Sequence, residues 1–98
     1  MPTKTRSEIE RTLREALPLL TARFHVRNIG LFGSYVRGEQ NETSDVDVLV
    51  EFSAPIGWEV VDVKDYLEHL LGLKVDLVTV PALKPQYRDQ VLREVVYA

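Results

Sequence analysis

Two apolar runs in the middle of the chain constrain its fold most strongly. The first run, residues 29–32, leads into Gly33 and Ser34, and after ten further residues Asp45 and Asp47 introduce the second, Val46–Phe52. Side chains two positions apart in a strand point to the same face, roughly 7 Å apart. Two carboxylates on such a face repel each other and are costly to desolvate unless a positive charge lies between them. A divalent cation such as Mg²⁺ fits there, because hard cations prefer carboxylate oxygen.

The N-terminal quarter of the chain predicts an amphipathic helix. Ser7, followed three residues later by Glu10, is typical of a capping box with Ser7 as the N-cap. Apolar residues then recur along one helical face: Ile9, Leu13, Ala16, Leu17, Leu20 and Phe24. Pro18 lies inside this pattern, so we expect a kink near Ala16 or the start of a second short helix.

The rest of the chain predicts alternating strands and helices. In chain order these are a strand over 28–32, a short helix over 34–37 ended by Gly38, a strand over 46–52, a helix over 59–71 with Gly72 as C-cap, a strand over 74–80 and a helix over 86–93. Residues 94–97 form either a strand or a loose tail. This order predicts an α/β (α+β) fold: a small mixed sheet, helices mainly on one face, and a single domain over residues 1–98.

Composition and charge exclude several classes of protein. The chain has no cysteine, which excludes disulfides and thiolate metal sites. Its apolar runs are too short to span a membrane and its N-terminus lacks a signal-peptide core, so a cytoplasmic location is expected. The net charge of −3 argues against direct nucleic-acid binding, which relies on basic residues. A nucleotide is not excluded, because a metal ion can neutralise its charge.

The spacing of these residues resembles that of a known superfamily. Gly33-Ser34, ten residues and Asp45-x-Asp47, with Arg37-Gly38 between them, resemble the nucleotidyltransferase fold of the DNA polymerase β type, and most closely its minimal nucleotidyltransferase (MNT) domains. The resemblance covers about residues 26–80. A tight turn followed by a capped strand start is the structural alternative for the same residues.

The resemblance implies a set of acidic metal ligands. Asp45 and Asp47 match the family's metal-binding pair, which holds Mg²⁺, normally two ions. The family's third carboxylate lies on a neighbouring strand, and Asp76, inside an apolar run, matches it. Asp76 is thereby implied as a ligand of the catalytic metal and as the base for the attacking hydroxyl. The alternative is an acid on an edge strand that faces water.

Three further residues are candidates for nucleotide binding. Gly33 lets a phosphate approach the backbone, and the Ser34 hydroxyl is placed to donate to the β- or γ-phosphate of ATP. Arg37 offers a fork of donors for the triphosphate. A salt bridge from Arg37 to Glu39 or to the acids of the site is the alternative.

The resemblance also implies a function and a partner. MNT domains typically occur with HEPN-domain proteins in two-component toxin–antitoxin systems, which implies an ATP- and Mg²⁺-dependent antitoxin that transfers AMP to a tyrosine of a HEPN toxin. Two alternatives remain: an antitoxin or scaffold that acts by contact alone, and a nucleotidyltransferase for a small molecule, completed by an oligomer or a partner.

Two apolar regions are candidate partner surfaces: Phe52, Ile56 and Trp58, and the tail of Val95, Val96 and Tyr97.

Overall fold

The computed structural model describes residues 4–41, 43–55 and 57–98, and its centre is a mixed four-stranded sheet. The strands are β1 Val26–Phe32, β2 Val46–Phe52, β3 Val75–Thr79 and β4 Val96–Tyr97. Their order across the sheet is β3-β2-β1-β4. β1 is antiparallel to both β2 and β4, whereas β2 and β3 are parallel. The expected small mixed sheet is confirmed.

Helices cover both faces of this sheet unequally. They are α1 Arg6–Phe24, α2 Ser34–Arg37, α3 Glu59–Leu71 and α4 Pro85–Glu94, with a 3-10 turn over Val80–Ala82. α1 and α3 pack on one face and enclose the main core: Ile9, Leu13, Ala16, Leu20, Val26, Ile29, Leu31, Tyr35, Val46, Val48, Val50, Val63, Leu67, Leu71 and Val75. α4 covers the opposite face, where Val91 packs with Phe32 and Leu49. The prediction that helices lie mainly on one face is confirmed.

The start of α1 differs from the prediction. Thr5, not Ser7, is the N-cap: its hydroxyl accepts a hydrogen bond from the Glu8 N–H at 3.1 Å, and the Glu8 carboxylate accepts one from the Thr5 N–H at 3.2 Å. Two overlapping capping boxes are present in the sequence, and the earlier one gives the longer helix. Glu10, assigned to the later box, instead pairs with Arg6 one turn before it at 2.7 Å.

The other boundaries agree closely with expectation. α2, β2 and α3 have the predicted bounds, and Gly72 is the left-handed C-cap of α3. β1 begins two residues early, β3 is one residue shorter at each end and α4 one residue longer at each end. The tail is a strand, and α1 continues through Pro18 to Phe24, so the second short helix does not form.

Strand directions bring three chain segments together at one end of the sheet, where β1 ends and β2 and β3 begin; this end is called the edge below. Because β1 and β2 are antiparallel, the end of β1 lies beside the start of β2, where Phe32 pairs with Asp47. Because β2 and β3 are parallel, both begin at that same edge, and Asp47 pairs with Asp76. Among the described residues, no helix is both long and apolar enough to cross a membrane.

Candidate functional site

Asp47 and Asp76 form an acidic pair at this edge. They are register partners on neighbouring parallel strands, and their carboxyl groups lie within hydrogen-bonding reach of each other. Asp47 is half-buried, whereas Asp76 is exposed on the edge strand β3. The alternative reading of Asp76 is therefore accurate about the strand, but its carboxyl group faces Asp47 as well as water.

The Asp47 carboxylate packs against the backbone of Gly33. Its φ of +79° with ψ of −149° is a backbone conformation open essentially to glycine alone. An added Cβ would collide with the Asp47 carboxylate and would lie 2.8 Å from its Cγ. The absence of a side chain at position 33 thus lets the carboxylate pack directly on the backbone at the end of β1.

Crowding makes ionisation of Asp47 unfavourable. Burial, followed by the negative charges of Asp76 and Asp45, raises the pKa of Asp47 to about 6, and the positive charge of Arg37 only partly opposes this. A hard cation would remove the cost, so the donor set fits Mg²⁺ chemically. Within the described ranges, however, no three His, Cys, Asp or Glu side chains are already gathered around one metal position.

Arg37 and Gly33 are joined by Glu94, the last residue of α4. The Arg37 guanidinium donates from Nη1 to Glu94 Oε1 at 2.8 Å, and the Gly33 N–H donates to Glu94 Oε2 at 3.2 Å. Arg37 Nε also lies 3.4 Å from Glu39 Oε1. The predicted alternative, a salt bridge to Glu39, is thus present, but the stronger partner is Glu94, whose hydrogen bond and charge raise the pKa of Arg37.

An open cleft of about 450 Å³ contains most of the predicted site. Its walls are Phe32, Gly33, Arg37, Asp47, Asp76, Val78, Ala82, Leu83, Lys84, Tyr87, Gln90, Val91 and Glu94. Four of the six predicted site residues are among them. The other two are sequence neighbours of wall residues: Ser34 begins α2 directly after Gly33, and Asp45 is exposed just before β2.

That α4 forms one wall of the cleft was not predicted from the sequence. Lys84, Tyr87, Val91 and Glu94 have the spacing of one helical face, and this periodicity was available in the sequence. What the periodicity could not give is which surface that face packs against. In the structure this face of α4 lines the cleft that contains Asp47 and Asp76.

The predicted partner surfaces differ in exposure. Trp58 is 85% exposed and Tyr97 51% exposed. Phe52 is partly buried against the main core, and Val95 is partly buried against the cluster that Val91 forms with Phe32 and Leu49. Ile56 lies outside the described residues. Large exposed aromatic side chains are common anchors at protein interfaces, so Trp58 and Tyr97 are the stronger candidates.

Comparison with known proteins places this geometry in context. The model of the nucleotidyltransferase domain family matches residues 7–98. The chain is 52% identical to a protein adenylyltransferase, MntA, from Thermococcus cleftensis, over 95% of both chains.

Two solved structures share the fold. One, of a proposed minimal nucleotidyltransferase, superposes with a TM-score of 0.79 at 39% identity, over 95% of each chain. The other, a toxin–antitoxin structure with AMP-PNP, gives a TM-score of 0.68 at 25% identity, over 96% of this chain and 72% of that one.

Proposed function

The chain belongs to the nucleotidyltransferase domain family, and from this premise we propose that it is an antitoxin that transfers AMP from ATP, with Mg²⁺, to a hydroxyl group of a HEPN-domain toxin. The name of the Thermococcus relative supports protein adenylylation, and the toxin–antitoxin structure with AMP-PNP supports both the nucleotide and the biological setting. The single observation that carries the proposal is the Asp47–Asp76 pair against Gly33.

In this proposal the acids serve the metal and the attacking hydroxyl. Asp45, Asp47 and Asp76 would hold Mg²⁺, two ions in the full complex. The ions, when bound, neutralise the charge that develops on the phosphates and lower the pKa of the attacking hydroxyl. The half-buried position of Asp47 and its raised pKa support this role, because a cation there relieves an existing repulsion.

The reaction exchanges one P–O bond for another. The hydroxyl oxygen of the acceptor attacks the α-phosphorus of ATP, the bond from that phosphorus to the bridging oxygen of the β-phosphate breaks, and pyrophosphate leaves. The hydroxyl proton passes to the Asp76 carboxylate. The exposure of Asp76 at the edge of the sheet supports this assignment, because an acceptor from another protein can reach it.

Gly33, Ser34 and Arg37 bind the triphosphate in this proposal. The missing side chain at Gly33 leaves room for a phosphate next to the backbone. Ser34 donates its hydroxyl to the β- or γ-phosphate. Arg37 contributes donors that its two carboxylate partners leave free, since a guanidinium carries five N–H groups.

We further propose that residues 1–98 act as one minimal domain and that the partner supplies the acceptor site. The exposed side chains of Trp58 and Tyr97 are the proposed contacts. The open cleft, rather than an enclosed pocket, supports a protein acceptor over a small molecule, because one side of the reacting centre remains uncovered.

Transfer of radiolabelled AMP to the purified partner tests the mechanism. Asp47→Asn and Asp76→Asn should each reduce transfer by orders of magnitude while the fold survives, because each removes a ligand charge and keeps the shape. Asp65→Asn is the matched control, since Asp65 is exposed on α3, away from the cleft. Transfer by Asp47→Asn at the wild-type rate would refute the assignment.

The mass of the partner after incubation with ATP and Mg²⁺ distinguishes the other functions. A gain of one or more AMP units supports the proposal. Stable binding without any gain supports the contact-only antitoxin, for which the exposed Trp58 is the favouring observation. Neither binding nor gain would reopen a small-molecule acceptor.

A further inference from the structure

Glu94 occupies an unusual position for an unassigned acid. Its side chain is only 14% exposed, in the wall of a cleft that already contains Asp47 and Asp76. A largely buried carboxylate in a cleft lined by two other acids is unfavourable unless its charge is compensated. Both of its oxygens are compensated by donors from one short stretch of chain: Gly33 through its N–H and Arg37 through Nη1.

Glu94 lies where α4 ends and the chain passes into β4. Glu94 ends α4, which is anchored to the sheet by Val91 beside Phe32 and Leu49, and β4 follows almost at once. A side chain supported on both sides by regular elements keeps its position better than one on a loop. The 2.8 Å contact with Arg37 has the length of a charge-assisted hydrogen bond.

Glu39, the second partner of Arg37, provides a contrast. Its side chain is 63% exposed and its contact with Arg37 is 3.4 Å long. An exposed ion pair of this length contributes little to the orientation of either side chain. The direction of the Arg37 guanidinium is therefore determined mainly by Glu94.

We propose that Glu94 is a positioning residue for the triphosphate site: it holds the Arg37 guanidinium and the Gly33 backbone so that the remaining Arg37 N–H groups meet the phosphates of a bound nucleoside triphosphate. This inference rests on the proposed function. Glu94 touches Arg37 through one nitrogen of the guanidinium, so it does not need to leave when the nucleotide enters. It acts through Arg37 and contacts neither substrate nor metal.

A double-mutant cycle on the affinity for ATP with Mg²⁺ tests this role. Glu94→Gln should raise the Kd of the nucleotide about tenfold, because a neutral amide orients a guanidinium less firmly than a carboxylate does. The matched control, Glu39→Gln, removes the other partner of the same arginine and should change the Kd by less than about twofold. In the Arg37→Ala background, Glu94→Gln should have no further effect, because the group it orients is gone.

The effect of Glu94 on Arg37 and Gly33 can also be measured in the absence of nucleotide. In the wild-type protein the Arg37 Nη1 hydrogens, which face Glu94, should give an ordered NMR signal that is lost in Glu94→Gln, and the Gly33 amide should shift in the same variant. Glu39→Gln should leave both nearly unchanged. If Glu94→Gln does not fold, Glu94→Asp retains the charge but draws the carboxylate back by one methylene, and the same cycle applies to it.

The outcomes separate this inference from the function it rests on. Wild-type protein that fails to bind ATP with Mg²⁺ overturns the proposed function, and the positioning role with it. Normal wild-type binding with an unchanged Kd in Glu94→Gln, or with equal effects in the Arg37 and Arg37→Ala backgrounds, overturns the role of Glu94 alone. Tighter binding by Glu94→Gln would show that Glu94 competes with the phosphates, and would also overturn it.

Discussion

Asp47 and Asp76 lie opposite each other on adjacent parallel strands, with their carboxyl groups within hydrogen-bonding reach. The negative charge of Asp76 disfavours ionisation of the neighbouring Asp47 carboxyl group. In the absence of a cation, burial, followed by the negative charges of Asp76 and Asp45, raises the pKa of Asp47 to about 6. The pair therefore links proton binding, metal binding and folding at one point of the sheet.

The first prediction concerns stability against pH. Asp47 binds its proton more tightly when folded than when unfolded, because its pKa rises from 3.8 to about 6. Its contribution to the free energy of unfolding therefore decreases as pH rises from about 4 to about 6 and stays low above that. Without metal, Asp47→Asn should melt higher than wild type at pH 7.5, and the difference should vanish below pH 4.

Melting curves of both proteins across this pH range, in EDTA, provide the measurement. Asp65→Asn serves as the control, since it should follow the wild-type profile. A constant difference between wild type and Asp47→Asn at every pH would contradict the prediction.

The second prediction concerns metal and nucleotide. A ligand that binds only the native state raises the melting temperature, and a cation also relieves the repulsion within the acidic pair. We expect Mg²⁺ to raise the melting temperature, ATP with Mg²⁺ to raise it further than either alone, and EDTA to reverse the shift. Asp47→Asn should abolish most of the effect of Mg²⁺. Curves of the wild type that do not respond to either ligand would contradict a metal site here.

The third prediction compares Gly33 and Gly38, which both have a positive φ but differ in the space available for a side chain. Gly38 has a φ of +73°, but an added Cβ would meet no atom within 4 Å, so Gly38→Ala should cost only the conformational strain, about 1 kcal/mol of unfolding free energy. At Gly33 the backbone conformation is more strained for any other residue, and a Cβ also displaces the Asp47 carboxylate, so Gly33→Ala should cost about 3 kcal/mol or more and reduce the effect of Mg²⁺. Urea unfolding of the two variants measures the difference. Equal costs would show that the contact between Gly33 and Asp47 is unimportant.

The fourth prediction concerns a buried hydroxyl. Tyr35 is 1% exposed, and its OH has no hydrogen-bond partner in the described part of the chain. Tyr35→Phe removes an unsatisfied polar group and keeps the ring, so it should leave stability unchanged or raise it by about 1 kcal/mol. Tyr97→Phe, at an exposed position, should have no effect. A loss of stability in Tyr35→Phe would show that the hydroxyl is bonded after all.

Local patterns in the sequence predicted much of the fold. The bounds of β2 and α3 were correct, because an apolar run and a terminal glycine mark them directly. The start of α1 was wrong because Thr5 and Ser7 each begin a capping box, and sequence alone does not rank two valid caps. The Asp47–Asp76 pairing rests on strand register, and the family resemblance supplied the match for Asp76.

The contribution of Glu94 could not be predicted in this way. Its contacts with Gly33 and Arg37 span 61 and 57 positions of sequence. Periodicity in α4 indicates which residues share a face, but the partner of that face depends on how the helix is placed against the sheet. Long-range polar contacts of this kind leave no local pattern.

The parallel pairing of β2 and β3 has a consequence for how activity is lost. β3 is an edge strand, hydrogen-bonded on one side only, and the whole of α3 separates it from β2 along the chain. Such non-local pairs form late in folding, and edge elements open more readily than central ones. Detachment of β3 would carry Asp76 away from Asp47 while the β1–β2 ladder stayed intact. Amide hydrogens of β3 should therefore exchange with solvent faster than those of β2, and on heating the site should come apart before the sheet does.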